Sequence, residues 1–273
     1  MSTTTPALHI LTPLSVDRPR LQAAVFDFDG TLSTLRHGWE AIMAPMMVEM
    51  IAGATTPTPA LRQEVDEYID QSTGIQTIHQ MVWLAEAVTR YGLNATVHDP
   101  WWYKGEYNRR LLEPVNARLA TIAQGEATVE DFSIAGGRAF LQALRARGVI
   151  LYVASGTDHP DVVREATTLE FADYFQEIAG APVGTIDCSK EAVLRRLVEE
   201  HGLCGAEVLV VGDGRVEIAL GRQIGALTLG LATDEARRQG MNPVKATRVT
   251  SAGAHALAGD FLALDALLKW LNL

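Results

Sequence analysis

A chain of 273 residues, 48% hydrophobic and 21% charged, has the balance of a globular protein with one large domain or two smaller ones. Its formal charge of −10 is opposite to the basic footprint that nucleic-acid binding requires, so no nucleic acid is expected as a partner. No apolar run is long enough to span a bilayer, and Cys188 and Cys204 lack the spacing of a metal site or a disulfide framework; no membrane association and a reduced, cytoplasmic protein are expected.

Residues 1–20 hold Pro6, Pro13 and Pro19 without periodicity. They read as a tail or an added edge element, with neither the basic start nor the apolar core of a signal peptide. Ala23, Ala24, Val25 and Phe26 then read as a buried strand, which runs into Asp27, Asp29, Gly30 and Thr31. Residues 35–131 carry four helical patterns separated by glycine and proline, with no strand between them. In this insertion Met43, Met46, Met47 and Met50 fill an interior, Pro45 kinks a helix or starts a new one, and Trp101, Trp102 and Tyr103 pack a helix junction.

Beyond it the pattern changes. "GGRAFLQALRARG" reads as a helix, "GVILYVAS" as a strand, "SKEAVLRRLVEEHG" as a helix, and "EVLVVGDG" and "ALTLGLA" as strands. Strands alternating with helices predict a parallel sheet covered on both faces.

Each main strand ends in polar residues: Asp27 and Asp29 on the first, Ser155, Gly156 and Thr157 on the second, Asp213 and Gly214 on the third. Ligands of open parallel sheets bind just beyond such carboxyl ends. If these strands are neighbours, their tips converge, and Lys190 at the start of a helix reaches the same crevice. Clustered carboxylates repel one another unless a cation neutralises them. Oxygen ligands without His or Cys suit a hard ion, Mg²⁺ first. Ser155 and Lys190 supply a hydroxyl and a positive charge, which suit a phosphoryl group. Residues two apart on a strand point to one side, so Asp27 and Asp29 are expected to face the same phosphate, with the turn at Gly30 adjusting the second.

The quoted segments resemble the four motifs of the haloacid dehalogenase superfamily of phosphohydrolases, and its phosphoglycolate phosphatase-like members with a C1-type cap. "DFDGTL" resembles the first motif, "YVASGT" the second, "SKEAVL" the third and "VVGDGRVE" the fourth. The fourth departs from the pattern: Glu217 stands where a second aspartate is usual. The resemblance implies an α/β fold, a Rossmann-like parallel sheet core over residues 21–34 and 132–273 with an inserted all-helical cap domain over residues 35–131.

It further implies that Asp27 attacks phosphorus to form an aspartyl phosphate, and that Asp29 protonates the leaving group and then activates water. Mg²⁺ is held by the Asp27 carboxylate, the Asp29 backbone carbonyl and the Asp213 carboxylate. Ser155, Gly156 and Lys190 bind the phosphoryl oxygens, while Glu217 and Thr31 stand behind the metal ligands. Arg36, His37, Trp39, Lys104 and Arg109 are candidates for substrate binding from the hinge and cap. The expected activity is a Mg²⁺-dependent phosphatase acting on a small phosphorylated metabolite, a sugar phosphate or similar phosphomonoester. A phosphomutase on the same fold and a non-catalytic binding protein are the alternatives. Asp29 argues against a dehalogenase or a phosphonatase, whose second acid is generally missing.

Overall fold

The computed structural model describes residues 8–15, 17–185, 190–200 and 202–273. Its seven-stranded sheet is built from β1 (Leu8–Ile10), β2 (Ala23–Phe26), β3 (Ile150–Asp158), β4 (Glu177–Ala181), β5 (Val208–Gly212), β6 (Leu227–Leu231) and β7 (Ala256–Ala258). The order across the sheet is β1-β7-β6-β5-β2-β3-β4. All neighbours are parallel except β1, which lies antiparallel on β7 at the edge. The expected strands are present, and β1 lies at the sheet edge within the stretch read as a tail or an added edge element; β4 and β7, half-buried or short, carry too little apolar patterning to be read beforehand.

The helices are α1 (Glu40–Ala52), α2 (Pro59–Gln71), α3 (Thr77–Tyr91), α4 (Pro100–Ala123), α5 (Gly137–Ala146), α6 (His159–Thr168), α7 (Lys190–Glu200), α8 (Arg215–Gln223), α9 (Pro243–Ser251) and α10 (Leu264–Trp270). One face of the sheet buries Phe26, Val153 and Val211 with Phe140, Phe171 and Phe261. The other buries Ala23, Val25, Tyr152 and Val210 with Leu194. Strands covered on both faces read as continuous apolar runs, as these do.

Helices α1–α4 have an apolar interior of their own, with Met43, Met46, Met47, Leu84, Val88 and Tyr103. Their starts are set by local chemistry. Thr58 accepts from the Leu61 amide ahead of Pro59, and Asp99 accepts from Trp101 and Trp102 ahead of α4. No new helix begins at Pro45; α1 runs through it. Proline removes one amide donor and crowds one turn, and the buried methionines on either side hold the remaining turns together.

The chain order makes β2 the turning point of the sheet. After β4 the chain returns to the other side of β2 and lays down β5. Such a reversal leaves a crevice beyond the strand ends, where the helices on the two sides diverge. The register pairs Phe26 with Val153 on one side and with Val211 on the other. Asp27 therefore follows directly from the pair line, and Ser155 and Asp213 stand one step farther out.

Candidate active site

β2 stops at Phe26, and the Asp27 amide still donates to the Val211 carbonyl at 2.9 Å. The chain then turns: the Phe28 carbonyl accepts from Leu32 at 2.9 Å and Ser33 at 3.0 Å. Asp27 and Asp29 thus share a site through this turn and not through strand pleating, which corrects the expectation above. Gly30 has φ +73°, and a Cβ there would lie 2.4 Å from Asp213 Oδ2. The position requires glycine both for its backbone and for the close approach of the acid.

Asp27, Asp29, Ser155, Gly156, Lys190 and Asp213 all line one cavity of about 100 Å³. Lys190 Nζ lies 2.8 Å from Asp27 Oδ1 and 3.3 Å from Glu217 Oε2. Burial, with Glu217 and Asp213 alongside, pushes Asp27 well above the usual carboxylate range against the pull of Lys190. Burial opposes the Lys190 charge, but Asp27 and Glu217 outweigh it and raise the lysine.

Asp29 Oδ2 accepts from Thr157 Oγ1 at 2.7 Å, and Arg36 Nε is 3.7 Å from Asp29 Oδ1. Ser155 Oγ accepts from the Thr157 amide at 3.1 Å. Thr31 is fully buried and its hydroxyl has no hydrogen-bond partner among the described residues.

Glu217 is buried, and its Oε1 accepts from the Gly214 amide at 2.7 Å. A Cβ at Gly212 would lie 2.2 Å from Glu217 Cγ, and one at Gly214 2.7 Å from Oε1. These glycines leave the room that the extra methylene of glutamate occupies. One carboxylate oxygen from each of Asp27, Asp213 and Glu217 lies within 4.8 Å of the other two. A buried, all-oxygen, acidic set of this kind fits a hard divalent cation.

Of the hinge and cap candidates, Arg36 and Trp39 line the cavity. His37 does not; it stands 3.7 Å from Glu235, whose side chain does line it. Lys104 and Arg109 are not brought to the cavity. The Lys104 ammonium is buried against Asp158 and lies over the Trp101 ring, and Asn108 bonds the same carboxylate at 3.1 Å. Arg109 points outward on α4, with both contacts to Glu106 at 2.8 Å. Helical geometry puts residues 104 and 109 on different faces, and both find an acid nearer than the cavity. Trp101, Trp102 and Tyr103 pack the start of α4, where the His98 ring stacks on Trp102.

Several residues at the site carry no motif signal. Lys245 of α9 is buried with Nζ 2.5 Å from Asp213 Oδ2, and it also binds Glu235. Burial raises Asp213 to about 6, with Lys245 opposing and Glu235 reinforcing the shift. Between α2 and α3, a Cβ at Gly74 would be 2.6 Å from Glu217 Oε2, while one at Gly156 would be 2.9 Å from the Ile75 carbonyl. This loop therefore closes directly over Glu217 and Gly156. Thr157 lies within "YVASGT", two residues after Ser155; Lys245 follows an Asn-Pro helix start, a signal of a cap and not of chemistry. Cys204 is exposed and free, and Cys188 lies outside the described residues.

No helix among the described residues is long and apolar enough to cross a membrane. No curated protein matches the sequence significantly. Among solved structures, the chain is similar to one described as a predicted phosphoglycolate phosphatase from Haemophilus somnus, at TM-score 0.60 and 17% identity over 91% of this chain and 98% of that one. It is similar to a β-phosphoglucomutase from Clostridium difficile, at TM-score 0.60 and 12% identity over 92% and 97%. A haloacid dehalogenase-like protein of Agrobacterium tumefaciens matches at TM-score 0.57 and 18% identity over 93% and 100%. These likenesses show the fold. The sequence profile of the haloacid dehalogenase-like hydrolases matches residues 21–225, three quarters of the chain, and the protein belongs to that hydrolase family.

Proposed function

We propose that this hydrolase is a Mg²⁺-dependent phosphatase of a small phosphorylated metabolite, a sugar phosphate or similar phosphomonoester, acting through an aspartyl phosphate on Asp27. The observation that carries the reading is the meeting of Asp27, Asp29, Ser155, Lys190 and Asp213 at one small cavity. An Asp27 carboxylate oxygen attacks phosphorus and the bond to the leaving oxygen breaks. Asp29, oriented by Thr157, gives that oxygen a proton and then takes one from the water that hydrolyses the aspartyl phosphate. Lys190 and Ser155 hold the phosphoryl oxygens in line with Asp27.

The Asp27 and Asp213 carboxylates and the Asp29 backbone carbonyl would hold Mg²⁺, with Glu217 and Thr31 behind them. When bound, the ion supplies charge that offsets the developing negative charge on the phosphoryl group. Acid–base help is worth about 10²–10⁴-fold, whereas the slowest phosphate monoester hydrolyses need up to ~10²¹-fold. Positioning and charge stabilisation must supply most of the rest.

In this reading residues 35–131 form a cap that excludes water and meets the leaving group with Trp39, Ile75 and Tyr107, and residues 21–34 and 132–273 form the catalytic core. Exposed, unpaired Cys204 suits a reducing, cytoplasmic setting. Phosphate release from p-nitrophenyl phosphate, with and without Mg²⁺, tests the activity; no Mg²⁺-dependent release contradicts it. The β-phosphoglucomutase from Clostridium difficile among the similar folds makes a mutase the second reading. Product analysis separates the two, because a mutase returns the phosphoryl group to a sugar and yields an isomer with little free phosphate.

A further inference from the structure

Among the described residues, two lysine or arginine side chains line the cavity, Lys190 and Arg36. Lys190 stands at the reacting end, on Asp27. Arg36 stands beside Asp29, where the departing group lies in the proposed reaction.

The Arg36 charge is already paired within the protein. Its Nε and Nη2 donate to Glu165 at 3.1 and 2.7 Å. Asp161 is 3.8 Å and Asp29 3.7 Å from the same guanidinium. Glu165 projects from α6 and is fully buried, and Arg36 itself is 8% exposed. Three carboxylates thus surround one cation in a setting where screening by water is weak. The remaining cap wall is uncharged: Trp39, Tyr107 and Leu111 give apolar surface, and Thr73, Thr77 and Gln80 give hydroxyl and amide groups. Such a wall suits an uncharged alcohol and leaves a substrate carboxylate without a counter-charge.

We propose that Glu165 is a specificity-determining residue. By occupying Arg36 it makes the enzyme select phosphomonoesters of small uncharged alcohols, polyols included, over those whose leaving group carries a carboxylate or a second phosphate. The proposal rests on the phosphatase reading. Glu165 acts through Arg36 and touches no reacting atom, so it is a positioning residue. The same charge arrangement disfavours a mutase, because returning a phosphoryl group to a sugar phosphate passes through a doubly phosphorylated sugar.

The test compares pairs matched in size with the full chain and Mg²⁺ at about pH 8, above the titration of Glu165: hydroxyethyl phosphate against phosphoglycolate, and glycerol phosphate against phosphoglycerate. The neutral member of each pair is expected to have a kcat/KM at least about tenfold higher. Glu165→Gln is expected to narrow that ratio several-fold by releasing Arg36, and Asp161→Asn to narrow it less. A merely structural role would lower both members together. Equal or better use of the carboxylates by the wild-type protein overturns the specificity while leaving the phosphatase reading intact, provided p-nitrophenyl phosphate is hydrolysed. So does turnover of neither neutral ester, and so does an unchanged ratio in both variants. No release from p-nitrophenyl phosphate overturns the phosphatase reading and the specificity with it.

Discussion

Lys245 Nζ lies 2.5 Å from Asp213 Oδ2, so the acid at the end of β5 has a buried counter-charge supplied by α9. The same ammonium binds Glu235. Burial opposes the Lys245 charge, but Asp213 and Glu235 outweigh it and raise the lysine. Removing one partner of a buried pair leaves the other uncompensated, at about 3–5 kcal/mol. Lys245→Met is therefore expected to lower the stability of the metal-free protein by an amount of that order. Mg²⁺ should recover part of the loss, so its stabilising effect should exceed that in the wild type. Urea unfolding with and without Mg²⁺ measures both. Unaltered metal-free stability contradicts the pairing.

The Asp29 carboxyl is oriented by Thr157 at 2.7 Å. Asp29→Ala should lower kcat by about 10²–10⁴-fold, the range of a lost general acid and base. Mg²⁺ binding should persist, since the backbone carbonyl remains. Thr157→Val should lower kcat by a smaller factor, about tenfold, by loosening the same carboxyl. Steady-state kinetics and calorimetric Mg²⁺ titration separate the two effects. Loss of Mg²⁺ binding in Asp29→Ala contradicts the assignment.

Gly74 has φ +98°, and a Cβ there would stand 2.6 Å from Glu217 Oε2. Alanine at this position must strain the backbone and push the loop from the core, at about 1–3 kcal/mol. Gly74→Ala is expected to lower kcat/KM by at least about tenfold with the core still folded. Near-wild-type kcat/KM would show that this loop need not close over Glu217.

Burial raises Glu165 from 4.5 to about 7 against the pull of Arg36. Between those values the folded chain holds a proton that the unfolded chain has released. Stability from this group is therefore present at low pH and lost as pH rises from about 4.5 to about 7. At about 1.4 kcal/mol per pH unit the full span is on the order of 3 kcal/mol. Urea unfolding of the wild type and Glu165→Gln across this range measures it. The variant should be less stabilised than the wild type on acidification, and parallel curves contradict the expectation.

Much of this site was legible because its parts lie at the ends of apolar runs. Phe26, Val153 and Val211 mark the strands, and polar residues just beyond a buried strand need a partner or a ligand. Lys190 was legible through the resemblance of its segment. Glu165 and Lys245 were not, since a glutamate in an amphipathic helix or a lysine in a helix's first turn reads as solvated surface until packing buries it. Lys104 shows the converse: its position in an aromatic, basic stretch pointed to substrate, but Asp158 at the end of β3 takes its charge. Partner choice across more than fifty residues of sequence depends on tertiary packing, which periodicity does not encode. The short strand β7 was hidden for a related reason, because a three-residue strand carries no alternation to read.

The central claim is that the side chain of Asp27 carries the phosphoryl group during turnover. Rapid acid quench during Mg²⁺-dependent turnover, followed by peptide mass spectrometry, tests it directly. The account predicts one phosphoryl group on Asp27, labile to hydroxylamine, and neither label nor turnover in Asp27→Asn. Phosphoryl label on another residue, or full turnover by Asp27→Asn, would contradict it.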